Sequence, residues 1–173
     1  MRDDRAEFGP LQMLTIAFDG SRFKGEILPE LDRLKQQGRL RIVDMLVVRK
    51  DPTGKVAVLT ASDLEWEEAT QFGAYIGTIV GFGAGGVAGA ERGAIAGAAE
   101  LADGHLFDDD DRDRLVSIVP TGMTIAVVLL EHVWMLPLLQ AIERAEGFEL
   151  KNEWVDAGTL AAIGAEAAAR DQP

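Results

Sequence analysis

The sequence predicts an α+β fold, and three observations lead to this prediction. Runs of β-branched and aliphatic residues that fit strands alternate with stretches of helical periodicity. A short pattern in the first third of the chain returns in the last third. Between the two copies lies a glycine series at helical spacing, whose members are Gly73, Gly77, Gly81, Gly85, Gly89, Gly93 and Gly97. With 173 residues, the chain is long enough for one domain with an inserted segment.

The first third of the chain predicts two strands joined by a helix, followed by a hairpin strand. Residues 11–18 (LQMLTIAF) indicate a buried strand, and residues 24–37 indicate an amphipathic helix that ends before Gly38. Residues 41–48 predict the second strand. The turn DPTG then reverses the chain, so a third strand is expected at 55–60.

The glycine series predicts a helical hairpin. Glycine weakens a helix interior by roughly 1 kcal/mol relative to alanine, so seven at helical spacing indicate a role in close backbone packing. A strict four-residue spacing drifts by about 40° per step on a helix of 3.6 residues per turn, so the stripe would wind around a single rod. A break in the glycine-crowded stretch 83–86 instead gives helices at 66–82 and 87–102 with opposed glycine faces. Residues 62–65 (SDLE) fit a capping box that opens this segment.

The last third of the chain predicts a second strand–helix–strand unit. Five aspartates within 108–113 precede a helix at 114–119, where carboxylates complement the positive end of the helix dipole. The remaining predicted elements are a strand at 123–131, a helix at 133–146 ended by Gly147, a strand at 148–155 and an alanine-rich helix at 160–170.

An internal repeat relates the two ends of the chain. The tripeptide TIA occurs at 15–17 and at 124–126, and the pattern LPxL occurs at 28–31 and at 136–139. Each copy contains a strand, a helix with an early proline, a glycine and a second strand. Two such βαβ halves side by side predict a ferredoxin-like sandwich, with the third strand and the helical hairpin inserted between them.

The domain organisation follows from this repeat. We expect a single ferredoxin-like domain over residues 11–158. The glycine-zipper hairpin at 66–102 is its insertion, and residues 159–173 form a C-terminal helix and tail.

Composition excludes several classes of function. The chain has no cysteine, which removes disulfides, thiolate catalysis and cysteine-based zinc sites. The formal net charge is −12, and such an acidic surface repels phosphate backbones, so no nucleic-acid partner is expected. Absent cysteines fit a reducing compartment, and the first residues lack the apolar core of a signal peptide. We therefore expect a cytoplasmic protein.

The glycine segment also admits two other interpretations. Residues 69–90 contain no charged residue, a length that fits a membrane crossing, so membrane association is the alternative location. Residues 81–86 (GFGAGG) match the dinucleotide fingerprint G-x-G-x-x-G, which requires a strand before it and an acidic residue ending a second strand. Asp103 lies at a suitable distance, but no strand is predicted before it. The packing interpretation is therefore preferred, and no cofactor is assigned.

Few residues indicate chemistry. His105 and the aspartates of 108–113 are oxygen-rich, yet they lack the central glycine and closing glutamate of a calcium loop, so a solvated helix start is preferred to a metal site. Glu131 and His132 are adjacent on a strand, where neighbouring side chains point to opposite faces, and no nucleophile accompanies them. We assign no catalytic residue. Trp66, Trp134 and Trp154 are expected to be core or interface anchors.

The chain resembles a family of uncharacterised bacterial proteins of actinobacterial type, which combine a glycine zipper with ferredoxin-like halves. The resemblance rests on the strand ending in FDG at 18–20, the strand and turn VVRKD at 47–51, the glycine series, the acidic helix start and the strand that follows it. It covers residues 11–158. It implies a domain of unknown function, of a kind sometimes described as a membrane protein, and it implies no catalytic residues.

The leading functional hypothesis from the sequence is a non-enzymatic, self-assembling homo-oligomer. The seven zipper glycines are its predicted oligomerisation residues, and the partner is a second copy of the chain. The first alternative is a membrane-associated protein with the hairpin in the bilayer. The second alternative is a small-molecule or metal-binding sensor that uses the sheet and residues 105–113.

Overall fold

The fold is α+β, as the sequence predicts, and its centre is a four-stranded antiparallel sheet. The computed structural model describes residues 8–19 and 27–147. The strands are β1 (Leu11–Asp19), β2 (Arg41–Lys50), β3 (Val56–Ala61) and β4 (Met123–Glu131). The helices are α1 (Ile27–Gln36), α2 (Trp66–Glu100), α3 (Asp109–Ile118) and α4 (Leu136–Arg144), the last preceded by a 3₁₀ turn at Val133–Met135.

The strand order β1-β4-β2-β3 places the two most buried strands, β4 and β2, in the middle of the sheet. β1 and β2 both run antiparallel to β4, so they are parallel to each other, and β4 lies between them. The helix α1 therefore makes a split β-α-β crossover. The strand β3 pairs with β2, so it belongs to the same sheet.

Each face of the sheet carries its own apolar core. Even-numbered residues of β4 pack with Ile42, Met45 and the side chain of Leu31 on the α1 side. On the opposite face, Leu46 and Val48 pack against Leu115 and Val119 at α3. Beside them, a third cluster covers the root of α2 and comprises Phe8, Val43, Phe72, Leu101 and Leu129. The base of the glycine segment is thus built into the core of the sheet.

Two helix starts differ from the sequence predictions. The helix α3 begins at Asp109 rather than at 114, because the Asp108 carboxylate accepts the N–H of Asp111 and caps the helix there. The expected hydrogen-bonding of Ser62 as a helix cap is wrong, since its hydroxyl donates to Val43 O. The Glu65 N–H instead donates to the Glu68 carboxylate at 3.1 Å.

The chain divides into two compact units, Met1–Gln140 and Ala141–Pro173, and the sheet lies in the first. In the second, Gly147 N–H donates to Ile142 O at 2.9 Å and closes the end of α4. The left-handed residue of this cap is Glu146, with φ 58°, rather than the predicted Gly147. The strand predicted at 148–155 and the helix predicted at 160–170 lie outside the described residues.

Candidate functional site

The most distinctive surface of the described chain is the helical hairpin within α2. Helical geometry breaks at Gly85 and Gly86, where the chain reverses and separates a first arm from a second arm. Gly86 has φ 60° and ψ −146°, a conformation open to glycine and costly for other residues. The crowded glycines of 83–86 therefore supply the reversal.

The two arms oppose their glycine faces. Gly73 lies against Gly97, Gly77 against Gly93 and Gly81 against Gly89. A methyl group added at any of these six positions would overlap the backbone carbonyl group of its partner. Six of the seven zipper glycines are thus in contact inside one chain, and Gly85 lies in the reversal. Their role as oligomerisation residues between chains stays a prediction.

The outward surface of the hairpin is apolar. Four residues of α2 are buried: Ala69 and Phe72 near the root, and Gly73 and Gly89 in the glycine seam. The exposed large apolar side chains of the hairpin are Trp66, Tyr75, Ile79, Val80, Phe82, Val87 and Ile95. Within the described residues, α2 is the one element that reaches the length and composition of a membrane-crossing helix, with a mean hydropathy of 1.3 in a window of which 17% is buried. The reversal at Gly85 and Gly86 divides this element into two shorter arms.

The charged residues of the hairpin lie near its two ends. Glu65, Glu67 and Glu68 stand at the root. Glu91 and Arg92 belong to the second arm, close to the reversal. The Arg92 Nε donates to Ala88 O at 3.1 Å, and its guanidinium extends towards Gly85 at the tip.

The first arm is fixed to the sheet by an ionic cluster. Arg41, at the start of β2, donates from Nε to Glu131 Oε2 at 2.8 Å and from Nη1 to Glu68 Oε1 at 2.9 Å. Glu131 is 1% exposed, and its other carboxylate oxygen accepts the Gly9 N–H at 2.8 Å. The guanidinium also lies 5.8 Å from the centroid of the Phe8 ring. Every polar atom of Glu131 is therefore partnered.

The second arm is fixed to the same strand by Asp44. This carboxylate is 1% exposed and accepts the N–H groups of Leu106 at 2.6 Å and Phe107 at 2.8 Å. His105 Nδ1 lies 3.1 Å from Asp44 Oδ1. The register of β2 against β4 shifts between Ile42 and Asp44, which marks a β-bulge. Asp44, which bonds to the loop at Leu106 and Phe107, lies directly at this bulge. One short stretch of β2 thus holds both ends of the hairpin.

The residues considered for metal binding have other partners. His105 pairs with Asp44, while Arg112 lies 2.7 Å from Asp109 and 3.2 Å from Asp113. Around them is an open cavity of about 490 Å³, lined by His105, Thr60 and aspartates of the 103–110 region. Among residues 8–19 and 27–147, no three histidine, aspartate or glutamate side chains are grouped to hold a metal ion.

Glu131 and His132 are separated in the structure. Glu131 faces the hairpin root, whereas His132 Nε2 lies 3.0 Å from Gln12 Oε1. Partial burial lowers the pKa of His132, because desolvation disfavours the charged imidazolium. Two of the tryptophans expected as anchors, Trp66 and Trp134, are 65% and 52% exposed and so are not core residues. The third, Trp154, lies outside the described residues.

Sequence reasoning missed the two residues that fix the hairpin. Asp44 is a lone acidic residue in the apolar run IVDMLVV. An acidic residue within a buried strand needs hydrogen-bond partners, so this position could have indicated a structural role. Arg41 gave no comparable signal, because a basic residue at a strand end is common.

Comparison of the chain with protein-family models, curated proteins and solved structures finds no match. The resemblance to glycine-zipper proteins stays a prediction.

Proposed function

We propose that this is a non-enzymatic, membrane-associated protein whose α2 hairpin is inserted in a bilayer, with the sheet on the cytoplasmic side. The observation that carries the proposal is the arrangement of the uncharged stretch 69–90. The glycines of this stretch face glycines of the second arm across the seam, including Gly93 and Gly97 beyond residue 90, and its bulky apolar side chains point outward. A hairpin in water would expose this surface, whereas lipid would cover it.

Dimensions support this proposal. Residues 69–85 rise about 25 Å at 1.5 Å per residue, close to the roughly 30 Å hydrocarbon core of a bilayer. Both arms are helical, and helical geometry pairs backbone N–H and C=O groups within each arm, as lipid requires. The glycine reversal would then lie near the far interface, where water satisfies its freed backbone groups.

The placement of polar residues fits the same arrangement. Trp66 is exposed at the root, a position that suits the amphipathic indole ring at a membrane interface. Glu91 and Arg92 would lie less than two turns from the tip. Arg92 extends towards that tip, as long basic side chains do when they reach for headgroups and water.

Membrane fractionation tests the proposal directly. Full-length protein should sediment with membranes, resist extraction at alkaline pH and enter solution with detergent. Val80→Glu places a carboxylate on the exposed face of the first arm and should release a large share of the protein. The matched control is Ile118→Glu on α3, which is 64% exposed and should leave the membrane fraction unchanged. Complete recovery of the unmodified protein without detergent contradicts membrane insertion.

A second candidate function is self-assembly through the hairpin, and one observation favours it. A groove of about 300 Å³ runs along one side of the glycine seam, bordered by Phe72, Ile76 and Val80. Small residues in such a groove let another backbone approach closely. Light scattering on detergent-free protein would give a multiple of 18.6 kDa for a soluble assembly. A monomeric mass under these conditions would exclude it.

We also propose that the sheet and its helices form a ferredoxin-like fold. The split crossover β1-α1-β2 around β4 supports a first half, and β4 followed by α4 supports the start of a second. The strand that would complete the second half was predicted at 148–155. A backbone chemical-shift assignment of full-length protein in detergent would test that strand directly.

A further inference from the structure

The edge strand β3 has the properties of a pairing surface. Among the described residues it pairs with β2 alone, and its six residues (VAVLTA) include neither a charge nor a proline. Val56, Val58 and Leu59 are 37%, 40% and 51% exposed. Natural edge strands usually carry a charge, a proline or a bulge that prevents pairing with another chain. This strand has none of the three.

The hydrogen-bond pattern identifies the backbone groups that face outward. The Asp51 N–H donates to Lys55 O at 2.9 Å, which makes this pair the hydrogen-bonded end of the β2–β3 ladder. Because hydrogen-bonded and non-bonded pairs alternate, Ala57, Leu59 and Ala61 bond to β2. The N–H and C=O groups of Val56, Val58 and Thr60 therefore point away from the sheet. The Asp63 N–H still donates to Ile42 O, so Ser62 continues the outward series.

We infer that two copies of this chain associate by antiparallel pairing of their β3 strands, with Leu59 opposite Leu59 on the two-fold axis. In this register Val58 is opposite Thr60, and Val56 is opposite Ser62. All four outward-facing residues of each strand then find partners. If the register is shifted by two residues in either direction, at least one of the four outward-facing residues has no strand residue opposite it.

Charge complementarity indicates that the strand pairing with β3 is the β3 of a second copy of the chain. The same register places Lys55 of one chain opposite Asp63 of the other. Asp63 already bonds to Lys35, and its side chain is 22% exposed, so a second ammonium group can approach the carboxylate. No like charges meet along the strand, because residues 56–62 are uncharged. Exposed ion pairs add little affinity, so this pair serves mainly to set the register.

Disulfide cross-linking in the natural cysteine-free background tests the inference. Leu59→Cys would face its own copy in a non-hydrogen-bonded pair, with Cβ atoms about 4.5–5.5 Å apart. Full-length protein in detergent or in phosphatidylcholine vesicles should give a covalent dimer when oxidised with copper phenanthroline. Val56→Cys, three residues from the axis, would lie about 20 Å from its copy and should stay monomeric. Ile118→Cys on α3 controls for random collision.

A proline variant separates edge pairing from other modes of association. The Val58 N–H does not bond to β2, so Val58→Pro removes an outward donor and leaves the intrachain ladder intact. Added to Leu59→Cys, it should abolish the cross-link while the circular dichroism spectrum is retained. Gly77→Leu, which disrupts the hairpin seam, should leave the cross-link in place. Efficient Val56→Cys cross-linking, or absence of a Leu59→Cys cross-link in a folded protein, overturns the inference.

Discussion

The Asp44 carboxylate accepts the N–H of Leu106 at 2.6 Å and so joins the middle strand of the sheet to the loop that ends the hairpin. Three residues earlier on the same strand, Arg41 bonds to Glu68 in the first turn of the hairpin. The two contacts fix the root of the hairpin from both sides. Both ends of the hairpin are therefore attached to β2 by direct hydrogen bonds.

Replacement of Asp44 by asparagine should destabilise the protein by about 3 kcal/mol. The N–H groups of Leu106 and Phe107 donate to one carboxylate oxygen, and the Met45 N–H donates to the other. The amide has only one acceptor oxygen and presents an NH₂ group in place of the second, so at least one buried donor loses its partner. Urea unfolding followed by circular dichroism measures the change. Asp110→Asn, an exposed carboxylate in the first turn of α3, should change the midpoint little. Equal losses for the two variants would contradict a special role for Asp44.

The ionic cluster at the first arm predicts unequal costs for its members. Arg41→Met leaves the buried Glu131 carboxylate without its cation and should cost about 3–5 kcal/mol, as is typical of a broken buried pair. Glu68→Gln removes the other partner, whose side chain is 44% exposed, and should cost about 0–1 kcal/mol. Denaturant midpoints of the two variants provide the measurement. A larger effect at Glu68 would show that the cluster stabilises the hairpin more than the sheet.

Local sequence patterns account for much of the fold. The three glycine pairs are placed symmetrically about Gly85 in the sequence. A four-residue spacing with one reversal at Gly85 and Gly86 is therefore enough to bring the pairs together in the seam. The sheet strands follow apolar runs such as MTIAVVLLE, because β2 and β4 are covered on both faces. These elements depend on neighbours close in sequence, which is why their positions could be predicted.

The attachment of the hairpin to the sheet could not be predicted in this way. Asp44 bonds to residues about 60 positions later, and Arg41 bonds to Glu131, 90 positions later. No periodicity relates such residues. The predictions of where helices begin were wrong for a related reason. Ser62 and Asp108 are both chemically suited to cap a helix, but the Ser62 hydroxyl bonds to Val43 O on β2, so only Asp108 acts as a cap.

The cap of α4 offers a stabilising substitution. Glu146 adopts φ 58°, which costs a residue with a side chain about 1 kcal/mol relative to glycine. Glu146→Gly should therefore raise the unfolding free energy of this helix end by up to about 1 kcal/mol, reduced by the greater entropy of glycine in the unfolded chain. Amide hydrogen exchange at Gly147, whose N–H bonds to Ile142 O, reports the effect. Faster exchange in the variant would contradict this account of the cap.

The glycine seam predicts opposite outcomes for two alanine substitutions in one helix. A methyl group at Gly77 would overlap the carbonyl group of Gly93, so Gly77→Ala should force the arms apart and destabilise the hairpin by about 1–3 kcal/mol. At Gly83 a methyl group meets no atom within 4 Å, so Gly83→Ala should be neutral or stabilising by up to about 1 kcal/mol. Spin labels on cysteines introduced at Ile79 and Ile95 report the separation of the arms in detergent. The distance should lengthen or broaden with Gly77→Ala and stay unchanged with Gly83→Ala, whereas the same response to both would mean that helix propensity, not backbone contact, governs the hairpin.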